Sequence, residues 1–327
     1  MDRHRPTVHL AASAGGHIEL LLGLRDTFSG YRRVWVTTPG PRAEQLRAER
    51  ERVRLVPPMD QRHLDIRNPW RSLGLALHER PRLVVTSGAG VVATFAAASR
   101  ALGARLVFVE TMARVNSTSA TARLLAPLST DLFVQWPERL ALSPRAHLCR
   151  PMLLDDISVG AATGGDGTFV AVGSHSQPFD RLLRAADAAA CDGVLPAPVR
   201  AQTGVTAFSP RHLEATAWID PEQFATRIRT ARHVVCHAGA GVIASALRAG
   251  RRPLVMGRRR EFDEHVDDHQ TDLVDALGGL GLVVSIDGAI APRHLEAADR
   301  PWPEAPPWQA WPDLRDALAA VLAGERP

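Results

Sequence analysis

RHVVCHAGAGVIASAL, residues 232–247, passes from a short apolar strand through a turn of small residues into a helix. The same order of strand, small-residue turn and helix occurs around SAGGH at 13–17, TSGAG at 86–90 and VGSHS at 172–176. Strand–helix units of this kind build parallel sheets that are covered by helices on both faces. Two such turns in each half of 327 residues predict an α/β protein with two Rossmann-like domains that contain parallel sheets and hold a ligand between them.

Short β-branched runs alternate with helix-like stretches along the rest of the chain. The predicted strands are 7–12, 33–38, 52–56, 82–87, 105–110, 131–135, 168–173, 199–202, 232–236, 252–256 and 282–286. The predicted helices are 90–102, 178–190, 221–229, one from about 241, 266–279 and 312–323. The polar segment 155–167 is typical of a linker, so we predict a domain over 1–160 and a second over 161–327, whose terminal helix packs back on the body.

Composition narrows the class of protein and its partners. All 39 cationic residues are arginine, yet the net charge is only +4, which indicates a modest bias toward anionic partners and predicts no nucleic-acid binding. Three scattered cysteines are too few for a disulfide framework or a cysteine-rich zinc site. Without an 18-residue apolar stretch or a signal-type N-terminus, the expectation is a cytoplasmic protein that meets a membrane, if at all, peripherally at its inner face.

The four small-residue turns are candidate phosphate sites. A glycine turn before a helix exposes backbone N–H groups at the positive end of the helix dipole. The alternative is that the glycines serve only the tight geometry of the turn. None of the turns has the glycine and lysine spacing of a P-loop, and none is a GxGxxG with an acidic residue about 20 positions later. A nucleotide kinase and a dehydrogenase are therefore disfavoured.

The segment EFDEHVDDHQ, 261–270, follows a basic turn, GRRR at 257–260, and places polar groups at the start of a helix. His265 and His269 are four residues apart, so a metal site has to be considered. A zincin would need Glu at position 266, which is Val266 here, and we expect no metal. The alternative is that these side chains hydrogen-bond a polyhydroxylated ligand.

Eight motifs carry a resemblance to a known family. In the first half they are SAGGHIEL (13–20), TSGAG (86–90), VFVETMARV (107–115) and DLFVQWPE (131–138). In the second half they are TFVAVGSHSQPFDRLLRAAD (168–187), QTG (202–204), HAGAGVIASAL (237–247) and EHVDDHQ (264–270). The chain resembles the two subunits, here fused, of the UDP-GlcNAc transferase that adds the second GlcNAc to dolichol-linked GlcNAc, with bacterial relatives in exopolysaccharide synthesis. A more distant similarity is to the peptidoglycan transferase that makes lipid II.

This resemblance implies a GT-B fold, in which two Rossmann-like domains with parallel sheets face a cleft. It also implies an inverting glycosyltransferase, independent of metals and cofactors, that holds a UDP-sugar mainly in its second domain. Backbone N–H groups and helix dipoles would stabilise the departing UDP. The donor-binding residues that it implies are Gly173, Ser174, His237, Gly239, Ala240, Gly241, Ser245, His269 and Gln270. Among them, His269 and Gln270 would contact the donor sugar, the alternative being that they only cap a helix. The residues implied on the acceptor and phosphate side are Gly15, Gly16, Ser87, Gly88 and Arg114.

Two residues are candidate catalytic bases. His17 follows the first glycine turn, where the family places residues near the reacting centre, and an imidazole is suited to accept the acceptor hydroxyl proton. Its alternative role is to hold the turn. Glu110 is the rival base, and its alternative role is a cap or a salt bridge with Arg114.

One departure from the family concerns Ser245, which stands where relatives usually have the carboxylate that binds the ribose hydroxyls. This departure leaves open the alternative that the protein is non-catalytic and binds sugar nucleotides or acts as a scaffold. A UDP-sugar 2-epimerase is a further alternative, although no carboxylate cluster is evident for it. GlcNAc leads as donor sugar before glucuronic acid and glucose, and the acceptor is lipid-linked or a small metabolite. Membrane contact would use Trp70 with Arg67 and Arg71, or Arg80 and Arg82.

Overall fold

The computed structural model describes residues 5–59, 67–116, 118–157, 164–173, 177–265, 268–302 and 307–325. The chain forms two compact units. The first unit comprises Met1–Met112, Thr118–Met152 and Ala310–Pro327, and the second unit comprises Ala113–Ser117 and Leu153–Gln309. The predicted limits of 1–160 and 161–327 stay a prediction, because residues 158–163 around them lie outside the described ranges.

The helices and strands alternate along the chain. The strands are β1 (Thr7–Ala12), β2 (Arg32–Thr37), β3 (Arg52–Leu55), β4 (Leu83–Gly88), β5 (Arg105–Val109), β6 (Asp131–Val134), β7 (Ala146–Leu148), β8 (Thr168–Ala171), β9 (Val199–Gln202), β10 (Glu214–Thr216), β11 (His233–His237), β12 (Leu254–Met256) and β13 (Val284–Ser285). The helices are α1 (Gly16–Gly23), α2 (Pro41–Ala48), α3 (Arg67–Glu79), α4 (Gly90–Ala101), α5 (Ala120–Leu128), α6 (Asp180–Cys191), α7 (Pro221–Thr230), α8 (Ala240–Arg248), α9 (His269–Gly279), α10 (Pro292–Ala298) and α11 (Leu314–Ala323).

The first unit is built on a seven-stranded parallel sheet in the order β3-β2-β1-β4-β5-β6-β7. The strand order reverses direction between β1 and β4, which are neighbours in the sheet although two strands separate them in sequence. In open α/β sheets, ligands bind beyond the carboxyl ends of the strands at such a switch point. The turn after β1 holds Gly15 and Gly16, and the turn after β4 begins at Gly88, so both predicted turns meet there.

Two apolar clusters cover the two faces of this sheet, because successive strand residues point to opposite sides. Leu10 belongs to the cluster that includes α1 and α11, whereas Ala11 belongs to the one that includes α3, α4 and α5. The terminal helix α11 contributes Leu314, Leu318 and Val321 to the first of these clusters. It is therefore part of the core of the first unit.

The second unit has a six-stranded parallel sheet in the order β10-β9-β8-β11-β12-β13. Its switch point lies between β8 and β11, whose carboxyl ends lead to Gly173 and to the turn at Gly239. The apolar face of α6, with Leu182, Leu183 and Ala186, packs on the buried side chains of β8 and β11. Both predicted glycine turns of this half thus lie at one switch point.

The predicted fold class is confirmed, with two α/β units that each contain a parallel sheet. The edge strands β7 and β10 and the helices α2, α3, α5 and α10 were not predicted. Within the part of the chain that the structure describes, no helix has the length and apolar character needed to cross a membrane.

Candidate functional site

A pocket of about 440 Å³ lies at the switch point of the second unit. Its walls include Gly173 after β8, His237 at the end of β11, and Gly239 and Gly241 at the start of α8. The structure thus brings together four of the predicted donor-binding residues. Ala240 is the first residue of α8, and Ser174 lies outside the described residues.

The start of α8 is left without a side-chain cap. Its N-cap is Gly239, which offers no side-chain hydrogen bond, and α1 and α4 likewise begin after Gly15 and Ala89 without one. The helices α2, α6 and α9 also lack a side-chain cap, whereas the side chains of Ser119, Asp220 and Asp313 accept hydrogen bonds from the first turns of α5, α7 and α11. The first N–H groups of a helix have no partner within it, so the ends of α1, α4 and α8 suit an anionic ligand.

His237 occupies the space between two glycines of the pocket. A Cβ atom at Gly173 would come within 2.4 Å of the imidazole, and one at Gly239 within 2.2 Å. These two glycines are therefore required by the packing of His237 itself, before any ligand is considered. At Gly241 an added Cβ would meet no atom within 4 Å, so this glycine leaves open space on the pocket wall.

Sequence reasoning missed the apolar side of the pocket. Trp218, Ile219 and Phe224 line it, together with Gln202 from the QTG motif at the end of β9. Phe224 is fixed by an edge-to-face contact with Phe169, 5.4 Å between ring centroids, and the backbone N–H of Ile219 donates to Gln202 Oε1 at 3.2 Å. A tryptophan just before the helix start at Asp220 was the available signal. These side chains form a surface on which a flat base can pack.

Ser245 lies one turn along α8, and its hydroxyl donates to the carbonyl of Gly241 at 2.9 Å. It is not among the residues that line the described pocket. The residue that replaces the family carboxylate thus bonds its own helix, and its role toward a ribose stays a prediction.

The start of α9 holds the other predicted donor residues. His269 contacts His265 edge to face, with 4.7 Å between the ring centroids, while Val266 lies outside the described residues. Gln270 is buried, and its Oε1 accepts the backbone N–H of Arg258 at 3.1 Å, so its Nε2 is the group left to donate to a sugar hydroxyl. Among the described residues, no group of three or more His, Cys, Asp or Glu side chains is arranged to hold a metal ion.

In the first unit the structure joins the two predicted turns through His17. Its Nδ1 donates to the carbonyl oxygen of Ser87 at 2.9 Å, and the Ser87 hydroxyl donates to the carbonyl oxygen of His17 at 2.9 Å. A carbonyl only accepts, so the proton of a neutral imidazole lies on Nδ1, and Nε2 is the nitrogen that can take up a proton. Gly15, Gly16 and Gly88 stand beside this pair of bonds.

Glu110 follows β5 and is buried, with only 2% of its surface exposed. Its carboxylate forms an ion pair with Arg139, 3.5 Å away and equally buried, and the side chain of Gln135 donates to its backbone carbonyl at 2.8 Å. The sequence interpretation named Arg114 as the partner, and the structure adds Arg139. Arg114 itself lies in the segment 113–117, which belongs to the second unit. The ion pair with Arg139 gives the Glu110 carboxylate a structural role, and its role as a base stays a prediction.

Two family models match the chain. The glycosyltransferase family 28 C-terminal domain matches residues 168–286, and the Alg14-like oligosaccharide biosynthesis protein matches residues 65–149. Together with the fold, these matches support a GT-B glycosyltransferase. Compared with curated protein sequences, the chain has no significant match.

Solved structures share this GT-B architecture over nearly the whole chain. MurG of Acinetobacter baumannii aligns over 98% of this chain and 99% of its own, with a TM-score of 0.67 and 16% identity. Arabidopsis thaliana UGT89C1 complexed with UDP-L-rhamnose aligns over 98% and 96%, with a TM-score of 0.59 and 15% identity. UDP-N-acetylglucosamine 2-epimerase from Rickettsia bellii aligns over 98% and 95%, with a TM-score of 0.63 and 10% identity. At these identities the likeness concerns the fold alone.

Proposed function

We propose that the chain transfers a sugar, with GlcNAc as first candidate, from a UDP-sugar to a lipid-linked acceptor, with inversion and without a metal or cofactor. The observation that carries the proposal is the pocket of the second unit, where the uncapped start of α8 meets glycines and aromatic side chains at a switch point. This combination suits a nucleoside diphosphate, because it offers N–H groups to phosphate and a flat apolar surface to a base.

The uncapped helix also suggests how the leaving group is stabilised. A helix N-terminus carries the equivalent of roughly half a positive charge. Negative charge grows on the diphosphate as the bond to the sugar breaks, so N–H groups fixed at Gly241 and Ala240 would stabilise the transition state more than the bound donor. In this proposed step, the helix N-terminus takes the role that a metal ion would otherwise have.

The comparisons support the nature of both substrates. A solved neighbour holds UDP-L-rhamnose, which supports a UDP-sugar as donor. The match to an oligosaccharide biosynthesis protein supports a growing sugar as acceptor. GlcNAc and the lipid carrier are what the family resemblance implies, and both can be measured directly.

Thermal unfolding with a panel of nucleotides tests the donor. We expect UDP-GlcNAc and UDP to raise the melting temperature more than ADP or GDP, because a ligand at 100 times its Kd adds about 2.7 kcal/mol of stability. UDP release should then require a lipid-linked sugar. Equal stabilisation by all nucleotides would contradict the proposal, and so would isomerisation of UDP-GlcNAc in the absence of an acceptor. UDP release in the presence of a small soluble sugar would instead change the class of acceptor.

A lipid-linked acceptor would bring the protein to a membrane. In the first unit, the layer formed by α3, α4 and α5 has a surface suited to membrane contact. Trp70 on α3 is 70% exposed, and Leu77 on α3, Leu102 after α4 and Leu124 on α5 are exposed in the same layer. Exposed apolar side chains among cations are typical of surfaces that bind at the headgroup level.

The charge of this layer supports an anionic membrane. Residues 67–130 contain eight arginines and only two acidic residues, Glu79 and Glu110, neither of which is exposed. Among the described residues, the exposed Arg71, Arg80 and Arg82 make no side-chain hydrogen bond or ion pair. Outside this layer, but in the same unit, Arg33 pairs with Glu51 and Arg47 pairs with Glu44, because the sequence there contains carboxylates as well as arginines.

Vesicle binding tests this surface. Replacing both Arg80 and Arg82 with Gln should weaken binding to phosphatidylglycerol vesicles about thirtyfold, since each arginine near an anionic surface contributes about 1 kcal/mol. Replacing both Arg47 and Arg50 removes the same charge elsewhere and should change little. Arg80 has a φ of 44°, a backbone conformation that favours glycine, so Arg80→Gly should remove the charge without destabilising the protein. Weaker vesicle binding by this variant would therefore reflect the lost charge and not lost stability. Equal effects of the two double variants would refute this surface.

A further inference from the structure

Arg258 is buried beside the candidate donor pocket although it belongs to a run of three arginines. Only 1% of its surface is exposed, and it follows β12 after Gly257. Burying a guanidinium is unfavourable unless its N–H groups are satisfied, so the partners of this side chain indicate what the burial achieves.

The guanidinium donates to carbonyl oxygens at both ends of the loop between β8 and α6. Its Nη2 bonds Val172 at 2.9 Å, and its Nη1 bonds Gln177 at 2.9 Å and Pro178 at 3.1 Å. Gly173 of the pocket lies between these anchor points. One side chain therefore fixes the described residues at both ends of this connection, Val172 at one end and Gln177 and Pro178 at the other.

The same residue reaches the second predicted donor segment. Its Nη1 also bonds the carbonyl oxygen of Glu264 at 3.2 Å, and its backbone N–H donates to Gln270 Oε1. The Glu264 carboxylate in turn accepts from Arg181 at 2.8 Å and from the backbone N–H of Arg259 at 3.1 Å. Arg258 thus connects the loop that carries Gly173 to the start of α9.

The guanidinium stays charged in this setting. Its carbon lies 4.6 Å from the centroid of the Phe179 ring. Burial lowers the pKa of Arg258 to about 10, and the charge of Glu264 opposes that change, so the side chain is protonated at neutral pH. A protonated guanidinium forms stronger hydrogen bonds than a neutral donor and holds several in fixed directions.

We propose that Arg258 is a positioning residue for the nucleotide donor, which it serves by holding Val172, next to Gly173 of the pocket, in a fixed position relative to Gln270 at the start of α9. This inference rests on the proposed function, since it takes a UDP-sugar as the ligand. A preorganised site binds its ligand without the cost of ordering the residues that form it, so loss of the arginine should appear in donor affinity.

The chain offers a matched control at the other end of β12. Arg252 is also buried, donates to backbone carbonyls, including those of Gly281 at 2.7 Å and Ala297 at 2.9 Å, and lies 4.6 Å from the Trp302 ring centroid. None of its hydrogen-bond partners lies between β8 and α6 or at the start of α9. Arg252→Lys therefore reproduces the structural disturbance of Arg258→Lys without touching the donor loops.

The experiment measures the Kd of UDP by calorimetry together with the melting temperature for wild type, Arg258→Lys and Arg252→Lys. Lysine keeps the charge but cannot bond four carbonyls. We expect both variants to lose similar stability, whereas only Arg258→Lys weakens UDP binding, by at least tenfold. In Arg258→Ala, added guanidinium chloride at about 20 mM should restore UDP affinity several-fold.

Equal loss of UDP affinity in the two lysine variants, or none in Arg258→Lys, would overturn the positioning role. A wild-type protein that binds no UDP would instead overturn the proposed function. If neither Arg258 variant folds, Phe179→Leu removes the ring beneath the guanidinium and leaves the arginine in place. We then expect UDP affinity to fall about threefold, and an unchanged affinity in that folded variant would contradict the inference.

Discussion

His17→Ala is expected to lower turnover by about 10² to 10⁴-fold while the affinity for the UDP-sugar changes by no more than a few-fold. The carbonyl of Ser87 holds Nδ1 and directs the proton-accepting capacity of the imidazole to Nε2. A positioned base contributes to the chemical step and little to donor binding, so the variant should act on kcat. The measurement is UDP release with a lipid-linked acceptor, alongside UDP-sugar Kd.

The pH profile of kcat/KM provides a second readout of this variant. A base must be deprotonated, so wild-type activity should fall on the acidic side and His17→Ala should lose that limb. Near-normal turnover and an unchanged profile would place the base elsewhere.

Glu110→Gln is the paired control, and the structure changes how it must be interpreted. The substitution leaves Arg139 charged and buried without its carboxylate partner, which typically costs about 3–5 kcal/mol. Loss of activity therefore indicates a catalytic role for Glu110 only if the variant retains its melting temperature. If His17→Ala remains active while a stable Glu110→Gln does not, Glu110 becomes the base.

Gly241→Ala should weaken UDP binding about 10–100-fold without destabilising the protein. The new methyl group meets no protein atom within 4 Å and would enter the pocket beside the start of α8. There it would separate the diphosphate from the backbone N–H groups, and hydrogen bonds to a charged group are worth about 1.5–3 kcal/mol each. Alanine also favours helix more than glycine does, so the melting temperature should stay or rise.

Gly278→Ala is the matched control for this variant. Gly278 lies in α9, and its added Cβ also meets nothing within 4 Å, but it does not line the pocket. It should gain the same helix stability and keep UDP affinity. Gly239→Val is a poorer test, because its side chain would collide first with His237. Unchanged UDP affinity in Gly241→Ala would remove the diphosphate from α8.

Much of the fold could be predicted because its central strands are continuous apolar runs. TVHLAA, RLVVTS and RHVVC lie on buried central strands, and each was recognised from its β-branched residues between turn signals. The edge strands β7 and β10 lack that signal, since the residues of β10 are all exposed and those of β7 only half-buried. An edge strand is specified by its neighbour more than by its own pattern.

The candidate site was predictable in its backbone and less so in its side chains. Glycine turns are encoded locally, so Gly173, Gly239 and Gly241 could be named before the structure brought them to one pocket. The partner of Glu110, in contrast, is separated from it in sequence and approaches it only through the pairing of β5 with β6. Arg258 was taken as part of a basic turn, because nothing in GRRR distinguishes the buried arginine from its exposed neighbour Arg260.

The place of α11 in the first core has a consequence for the order of folding during synthesis. The sheet of the first unit ends at Leu148, but Leu318 and Val321, which complete its core, are made roughly 170 residues later, or about 10–30 s at ribosomal rates of 5–20 residues per second. During that interval an apolar face of the newborn domain is uncovered. The second unit, apart from a five-residue segment, is continuous in sequence and can finish folding first. The unit whose sheet is synthesised last is therefore the first to be completed.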